Sequence, residues 1–168
     1  MRFRTFGHLD WKPSALGFGA MRLPVLNNDP AQIDEPQAIR MIRWAIAHGV
    51  NCVDSGYTYH GGKSEGLVGK ALGNGYRAKV KVATKSPIWL LEKSEDPERY
   101  LGEQLERLGV DCIDFYLLHG LNARQWPRMR FLLPRQPDRV QRDHQRLRRL
   151  GILPNPVQLH GRERPGGP

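Results

Sequence analysis

The sequence predicts an α/β fold with a parallel sheet over residues 1–120 of its 168 residues, followed by an irregular tail. Short apolar runs of strand length alternate there with helical segments that carry one apolar face. Strands that alternate with helices of this length are typical of right-handed βαβ units, whose strands are parallel. After residue 122 the alternation stops, so the predicted sheet belongs to the first part of the chain.

The first strand and the first helix are predicted between residues 16 and 49. The strand is the apolar run Leu16–Met21, and residues 3–11 before it could form a small hairpin. Asp34 can cap the N-terminus of the helix, Pro36 fits its first turn, and Gly49 supplies its end. Isoleucines recur at helical spacing along one face of this segment: Ile39, Ile42 and Ile46.

Three further strands are predicted, and each ends at an ionisable residue. These are Val50–Val53 before Asp54, Val80–Thr84 before Lys85, and Ile113–Leu118 before His119. Two helices connect them. Ser64 opens the first and Gly73 closes it, whereas Ser94 or Asp96 caps the second and Gly109 closes it.

The three ionisable residues at the strand ends predict a functional site. The carboxyl ends of parallel strands lie at one edge of a sheet, where active sites are built from several strands. A single charged residue there often marks only the exit of a strand into solvent. Three residues of different acid–base character, Asp54, Lys85 and His119, favour a site. Tyr59 lies five residues beyond Asp54 in a glycine-bearing loop that can bring it over the same edge.

These four side chains suit a proton transfer. An ordinary tyrosine, with a pKa of about 10, is a weak acid at neutral pH. A nearby ammonium such as that of Lys85 stabilises a phenolate, and Asp54 can keep the ammonium charged and in place. His119 could orient a carbonyl oxygen or share in the proton relay. The set could protonate a developing alkoxide while a hydride arrives from a cofactor.

Residues 1–120 resemble the N-terminal half of an aldo-keto reductase. The stretches that carry the resemblance are Arg4–Gly7, Ser14–Pro24, Gly49–Asp54, Tyr59–Glu65, Ala83–Lys85 and Ile113–His119. The resemblance implies a partial (β/α)8 TIM barrel made of about the first four strand–helix units. It also implies that the reaction is the reduction of an aldehyde or ketone to an alcohol, with NADP(H) or NAD(H) as the hydride donor.

The catalytic tetrad of this family, an Asp, a Tyr, a Lys and a His, matches Asp54, Tyr59, Lys85 and His119. The resemblance implies that Tyr59 donates the proton, that Lys85 makes it a better donor, that Asp54 anchors Lys85, and that His119 orients the carbonyl. His60, next to Tyr59, is expected to face solvent or to touch substrate.

The resemblance also implies a cofactor site, for which four residues near the nicotinamide are candidates: Gly19, Met21, Arg22 and Asp54. Trp89, shortly after Lys85, could form a wall of the substrate pocket or pack under its own loop.

The stretches around residues 21–24 and 59–65 are most similar to a microbial branch that often carries a C-terminal iron–sulfur segment. The chain has only Cys52 and Cys112, without ligand spacing, so no metal and no disulfide are expected.

The length of the chain adds an expectation about activity. A complete barrel of this kind has about 250 residues or more, and only four strands are predicted here. In the family, most adenosine and phosphate contacts of the cofactor come from later strands. We therefore expect a truncated reductase with little or no turnover. A half barrel has two unpaired strand edges, which could lead to self-association.

Residues 121–168 form a basic tail of different composition. Residues 1–120 hold 15 basic and 14 acidic residues, whereas the tail holds 11 Arg, no Lys, 3 acidic residues and seven of the 13 prolines. The tail is predicted to be either disordered or an out-of-frame reading, and the abrupt shift favours the second. The alternative function is a non-catalytic half-barrel whose Arg-rich tail binds nucleic acid or an acidic partner. The near-neutral residues 1–120 do not favour nucleic-acid binding.

Composition bears on the compartment. Hydrophobic residues make up 39% of the chain and charged residues 26%, a balance typical of globular rather than disordered or membrane proteins. No apolar run approaches the length of about 20 residues that a bilayer span needs. The first eight residues lack the apolar core of a signal peptide. A cytoplasmic location is expected.

Overall fold

The computed structural model describes residues 1–125 and residue 129, so almost all of the Arg-rich tail, with the roles predicted for it, lies outside the described residues. Strands and α-helices alternate along the described chain. In order they are β1 (Phe18–Gly19), α1 (Glu35–Ala47), β2 (Cys52–Asp54), α2 (Ser64–Leu72), β3 (Lys81–Ser86), α3 (Asp96–Leu108) and β4 (Phe115–Leu118). The expectation of about four strand–helix units includes a fourth helix after β4, and this part of the expectation lies outside the described residues.

The strands form one sheet in the order β1-β2-β3-β4, and every neighbouring pair is parallel. The predicted α/β fold with a parallel sheet is therefore confirmed. In the register, Asp54 lies beside Gly19 on one side and Ala83 on the other, and Lys85 lies beside Leu117. The buried apolar core lies between the sheet and the helices and includes Val53, Val82, Ile42, Val68 and Leu108.

The boundaries of α1 follow the sequence signals closely. A carboxylate oxygen of Asp34, Oδ1, accepts a hydrogen bond of 3.0 Å from the backbone N–H of Gln37, and Pro36 lies in the first turn. The helix ends at Ala47, and the following Gly49 has a φ of 95°. A side-chain acceptor at the N-cap satisfies one of the free N–H groups of the first turn, so Asp34 acts as predicted.

The start of α3 differs from the prediction. Its N-cap residue is Glu95, so neither Ser94 nor Asp96 caps the helix, and Asp96 is its first residue. The Oδ2 atom of Asp96 instead accepts hydrogen bonds from the backbone N–H groups of Glu92 and Lys93, at 2.7 and 2.9 Å. The carboxylate therefore serves the turn before the helix, whose backbone amides need an acceptor. Together with the Arg99 guanidinium, they hold the pKa of Asp96 well below its usual range.

The segment before β1 is less regular than a hairpin. Residues 3–11 contain no strand, and single antiparallel bridges join Phe6 to Leu9 and Phe3 to Ser14. The rings of Phe6 and Trp11 each lie 5.7 Å from the ring of Phe115, at the start of β4. The segment thus packs under the sheet through aromatic contacts. The first strand is also shorter than the predicted run from residue 16 to 21.

Neither cysteine forms a disulfide in the structure. Cys52 is half-buried in β2, where burial raises the pKa of its thiol, and Cys112 is exposed. Within residues 1–125 and 129, no group of three or more His, Cys, Asp or Glu side chains gathers in a way that could hold a metal ion. In the same part of the chain, no helix has the length and apolar character needed to cross a bilayer.

Candidate active site

The sheet brings the predicted strand-end residues to one edge. Asp54 is the last residue of β2, as predicted, whereas Lys85 is the second-last residue of β3 and His119 directly follows β4. The backbone N–H of His119 donates to the carbonyl oxygen of Ser86 at 3.0 Å, which extends the pairing of β3 and β4 by one residue. The three side chains therefore start from neighbouring strands at the same edge of the sheet. In the register, Lys85 lies two residues beyond Asp54, and His119 lies two residues beyond Lys85.

The ammonium group of Lys85 is held by three oxygen atoms. Its Nζ atom lies 2.6 and 2.8 Å from the two carboxylate oxygens of Asp54 and 2.5 Å from the carbonyl oxygen of Ser55. The Lys85 side chain is only 17% exposed. An ammonium has three N–H donors, so these partners can use all of them and fix the position of the charge.

Tyr59 lies over this charge. It begins the four-residue turn Tyr59–Gly62 in the loop after β2, in which the backbone of His60 and Gly61 is not helical. The Lys85 Nζ atom lies 4.8 Å from the centre of the Tyr59 ring, within the range of a cation–π contact. Tyr59 also lines a cleft, through which a substrate oxygen could reach its hydroxyl.

His119 completes the group on the side of β4. Its ring lies edge-on to the Tyr59 ring, with the centroids 5.6 Å apart, and 5.0 Å from the ring of Trp89. Burial, assisted by the positive charge of Lys85, lowers the pKa of His119, so the imidazole is held neutral. Its Nδ1 atom is buried without a hydrogen-bond partner in the described part of the chain.

A cleft of about 520 Å³ opens beside Tyr59. Its lining residues are Met21, Arg22, Leu23, Val25, Pro30, Thr58, Tyr59 and His60. Two of the predicted cofactor residues, Met21 and Arg22, thus share a cleft with Tyr59, whereas Gly19 and Asp54 pair in the sheet next to it. A Cβ atom placed on Gly19 would meet nothing within 4 Å, so the backbone there faces open space.

Two features of the site were not predicted. His60 does not face solvent: it is buried, and both ring nitrogens bond to backbone groups of the loop between β1 and α1. Behind β3, the buried carboxylate of Glu65 accepts hydrogen bonds from Thr84 and Gln104. The pair Gly61-Gly62 after His60 indicates a turn with left-handed backbone, and the sequence offers this signal. The sequence offers no local signal for the histidine contact itself, because its partners are backbone groups far away in the chain.

Comparison with known proteins identifies relatives of this arrangement. Residues 15–127 match the model of the aldo/keto reductase family. A probable aldo-keto reductase 1 from Glycine max is 36% identical over 125 residues, which cover 70% of this chain and 36% of the soybean protein. The chain thus spans little more than a third of the length of this relative.

Solved structures agree in fold. An aldo-keto reductase from Klebsiella pneumoniae in complex with NADPH is 29% identical, with a TM-score of 0.55, and the match covers 64% of this chain and 36% of that one. The holo form of an aldo-keto reductase from Bacillus halodurans is 27% identical, with a TM-score of 0.61 over 90% of this chain and 48% of that one. The four parallel strands and their helices correspond to the N-terminal part of the barrel of these proteins.

Proposed function

The chain belongs to the aldo/keto reductase family, and on this premise we propose that it supplies the proton-donating part of a site that reduces an aldehyde or ketone to an alcohol. The observation that carries the proposal is the Lys85 ammonium, which lies between the carboxylate of Asp54 and the ring of Tyr59. A cation fixed beside a tyrosine stabilises the phenolate that remains when the hydroxyl gives up its proton.

Tyr59 is the proton donor in this proposal. Its hydroxyl gives a proton to the carbonyl oxygen of the substrate as negative charge develops there. The phenolate left behind faces the Lys85 ammonium, and Asp54 together with the carbonyl oxygen of Ser55 prevents that ammonium from moving away. The O–H bond of Tyr59 breaks and the O–H bond of the product alcohol forms.

His119 orients the substrate. A neutral imidazole can donate one N–H to the carbonyl oxygen, and the lowered pKa of His119 keeps the ring neutral at physiological pH. The His119 ring lies edge-on against the Tyr59 ring, with the centroids 5.6 Å apart, so one small carbonyl group could meet both side chains. Trp89, 42% exposed and in contact with His119, forms a wall of the substrate pocket.

The hydride donor is NADP(H) or NAD(H), and when bound its nicotinamide supplies the hydride that reduces the carbonyl carbon. The residues present fit its nicotinamide end. Gly19 offers open backbone, Met21 and Arg22 line the cleft beside Tyr59, and Asp54 lies next to Gly19 in the sheet. The NADPH in the similar Klebsiella pneumoniae structure favours NADP(H).

Unpaired thiols are typical of a reducing compartment, which supports a cytoplasmic location.

A single-turnover assay tests the proposal. Excess protein of 168 residues is mixed with NADPH and a simple aldehyde, and the alcohol product is measured. We expect Tyr59→Phe to lower the rate by roughly 10²- to 10⁴-fold, the usual contribution of a positioned general acid. Tyr76→Phe is the matched control, because Tyr76 packs against Arg43 and Lys79 away from the site. Little turnover is expected from so short a chain, but an excess of protein allows one slow turnover to be measured. A wild-type chain without product, or a Tyr59→Phe variant as fast as the wild type, would contradict the proposal.

A further inference from the structure

His60 connects the two walls of the cleft beside Tyr59. One wall is the tyrosine loop (residues 55–63), and the other is the β1–α1 loop (residues 20–34). The Nε2 atom of His60 lies 3.0 Å from the backbone nitrogen of Leu23, and its Nδ1 atom lies 2.7 Å from the carbonyl oxygen of Pro30. His60 directly follows Tyr59, and Leu23 directly follows Arg22, so this side chain joins the proton donor to the predicted cofactor residues.

The two backbone partners fix the protonation state of the ring. The backbone N–H of Leu23 can only donate, so Nε2 must accept and carry no proton. The carbonyl oxygen of Pro30 can only accept, so Nδ1 must carry the proton. The bridge therefore requires neutral His60 in the Nδ1–H tautomer, because a proton on Nε2 would point at another N–H group.

The backbone at His60 has a conformation that few residue types adopt easily. Its φ of 54° and ψ of 43° lie in the left-handed region, and Gly61 and Gly62 follow with φ values of 64° and 85°. Few residues other than glycine adopt this conformation easily, although His and Asn are enriched among them. Since the imidazole is also buried, the two hydrogen bonds hold this turn in place.

We propose that His60 is a positioning residue that holds the tyrosine loop against the β1–α1 loop and so fixes the Tyr59 hydroxyl relative to Met21 and Arg22. This inference rests on the proposed function for its catalytic consequence, but not for its geometry. Two other hydrogen bonds tie this part of the chain to the β1–α1 loop: Lys63 Nζ, in the tyrosine loop, donates to the carbonyl oxygen of Ala31, and Ser64 Oγ, at the start of α2, donates to that of Ala20. Neither of these side chains is adjacent to Tyr59, so they do not replace His60 there.

Nuclear magnetic resonance of the full chain, labelled with ¹⁵N histidine, tests the geometry without turnover. We expect the ring of His60 in the Nδ1–H tautomer at neutral pH, with a coupling across the hydrogen bond between Nε2 and the Leu23 amide. His48, exposed at the end of α1, is the reference histidine in the same sample. A proton on Nε2 of His60 would overturn the proposal.

Variants then test the positioning. Asparagine tolerates the left-handed backbone, but the side chain of His60→Asn is too short to bring its oxygen to the Leu23 amide. The longer side chain of His60→Gln carries its acceptor oxygen further out. We expect His60→Asn to shift the ring resonances of Tyr59 and the amide of Leu23, and His60→Gln to restore them in part. His48→Asn is the control that leaves both unchanged. Unshifted Tyr59 resonances in His60→Asn would overturn the proposal.

The catalytic consequence has its own readout. With an active chain, we expect His60→Asn to lower kcat by roughly 10- to 100-fold, with a smaller change in KM for the aldehyde, because a misplaced donor slows the chemical step more than binding. An unchanged kcat would overturn the positioning role. If the wild type makes no alcohol, the proposed function fails, while the resonances still decide whether His60 positions Tyr59.

Discussion

The ammonium of Lys85 joins three parts of the molecule at the scale of single residues. Its partners are a carboxylate at the end of β2, a carbonyl oxygen in the following loop, and the ring of Tyr59. Removing Asp54 would leave this charge with a carbonyl oxygen and an aromatic face. A cation held by fewer partners moves more freely, and it would then stabilise a phenolate on Tyr59 less well.

His119 carries a prediction about pH and stability. Burial and the Lys85 charge lower its pKa in the folded state below the ordinary value of about 6.5. The unfolded chain then binds more protons than the folded chain at mildly acidic pH, so the folded state loses stability as the pH falls. The contribution of His119 is complete above about pH 6.5 and is lost as the pH falls through its folded-state pKa.

Urea unfolding of the wild type and of His119→Asn at pH 7.5 and at pH 5.0 checks this expectation. The variant lacks the titrating group, so its free energy of unfolding should decrease less between the two pH values than that of the wild type. The other histidines are present in both proteins, and their effects cancel in the comparison. An equal decrease in both proteins would show that His119 titrates normally in the folded chain.

At the scale of elements, Glu65 connects the layers behind the site. Its side chain is 0% exposed on α2, and its Oε1 atom accepts hydrogen bonds from Thr84 Oγ1 of β3, at 2.6 Å, and from Gln104 Nε2 of α3, at 2.5 Å. Gln104 in turn accepts from the hydroxyl of Tyr116 in β4. Burial raises the pKa of Tyr116 to about 12, so its hydroxyl remains a donor at neutral pH. Since Thr84 precedes Lys85, this network also supports the strand that carries the ammonium.

Glu65→Leu should destabilise the fold by about 1 kcal/mol or more, because the buried Thr84 hydroxyl loses its acceptor, at about 1–3 kcal/mol for an unsatisfied group, and Gln104 Nε2 loses one of its three acceptors. Glu65→Gln keeps an oxygen at the position of Oε1 and should cost less. Urea denaturation of the three proteins measures the difference. Equal stability of the two variants would mean that the two donors find other partners.

At the scale of the whole molecule, the sheet has two outer strands. Within residues 1–125 and 129, β1 and β4 each pair on one side only. Next to β1, the side chains of Phe18, Met41 and Trp44 form an apolar groove, in which Trp44 is 65% exposed. Unpaired strand edges and exposed apolar surface both favour association with further polypeptide.

We therefore expect the 168-residue chain to associate with itself, with a weight-average sedimentation coefficient that rises with protein concentration. Trp44→Gln should weaken this association by about tenfold or more, since burying a large apolar side chain contributes roughly 1.5–3 kcal/mol. Leu26→Gln removes an exposed apolar side chain outside the groove and is the control. A monomer at all concentrations would contradict the expectation, and an equal effect of both variants would exclude the groove as the contact.

Local signals explain which parts of the fold could be predicted from the sequence. The isoleucines of α1 and the cap at Asp34 all lie within one stretch of 13 residues, and the strands are short apolar runs between such helices. The start of α3 was not predictable in the same way. Aspartate is a common N-cap residue, but the carboxylate of Asp96 accepts from the amides of Glu92 and Lys93 instead. The sequence around Asp96 is compatible with either role.

The sequence by itself determined the alternation of strands and helices, the family, and the edge at which Asp54, Lys85 and His119 meet, because a parallel sheet places the ends of successive strands side by side. The tertiary structure alone decided how Tyr59 is held. His60 bonds to Leu23 and Pro30, which are 37 and 30 residues away, and it does so through backbone atoms that almost all residue types share. Such a contact cannot be predicted from the pattern of side chains in the sequence, because it depends on where the folded backbone runs.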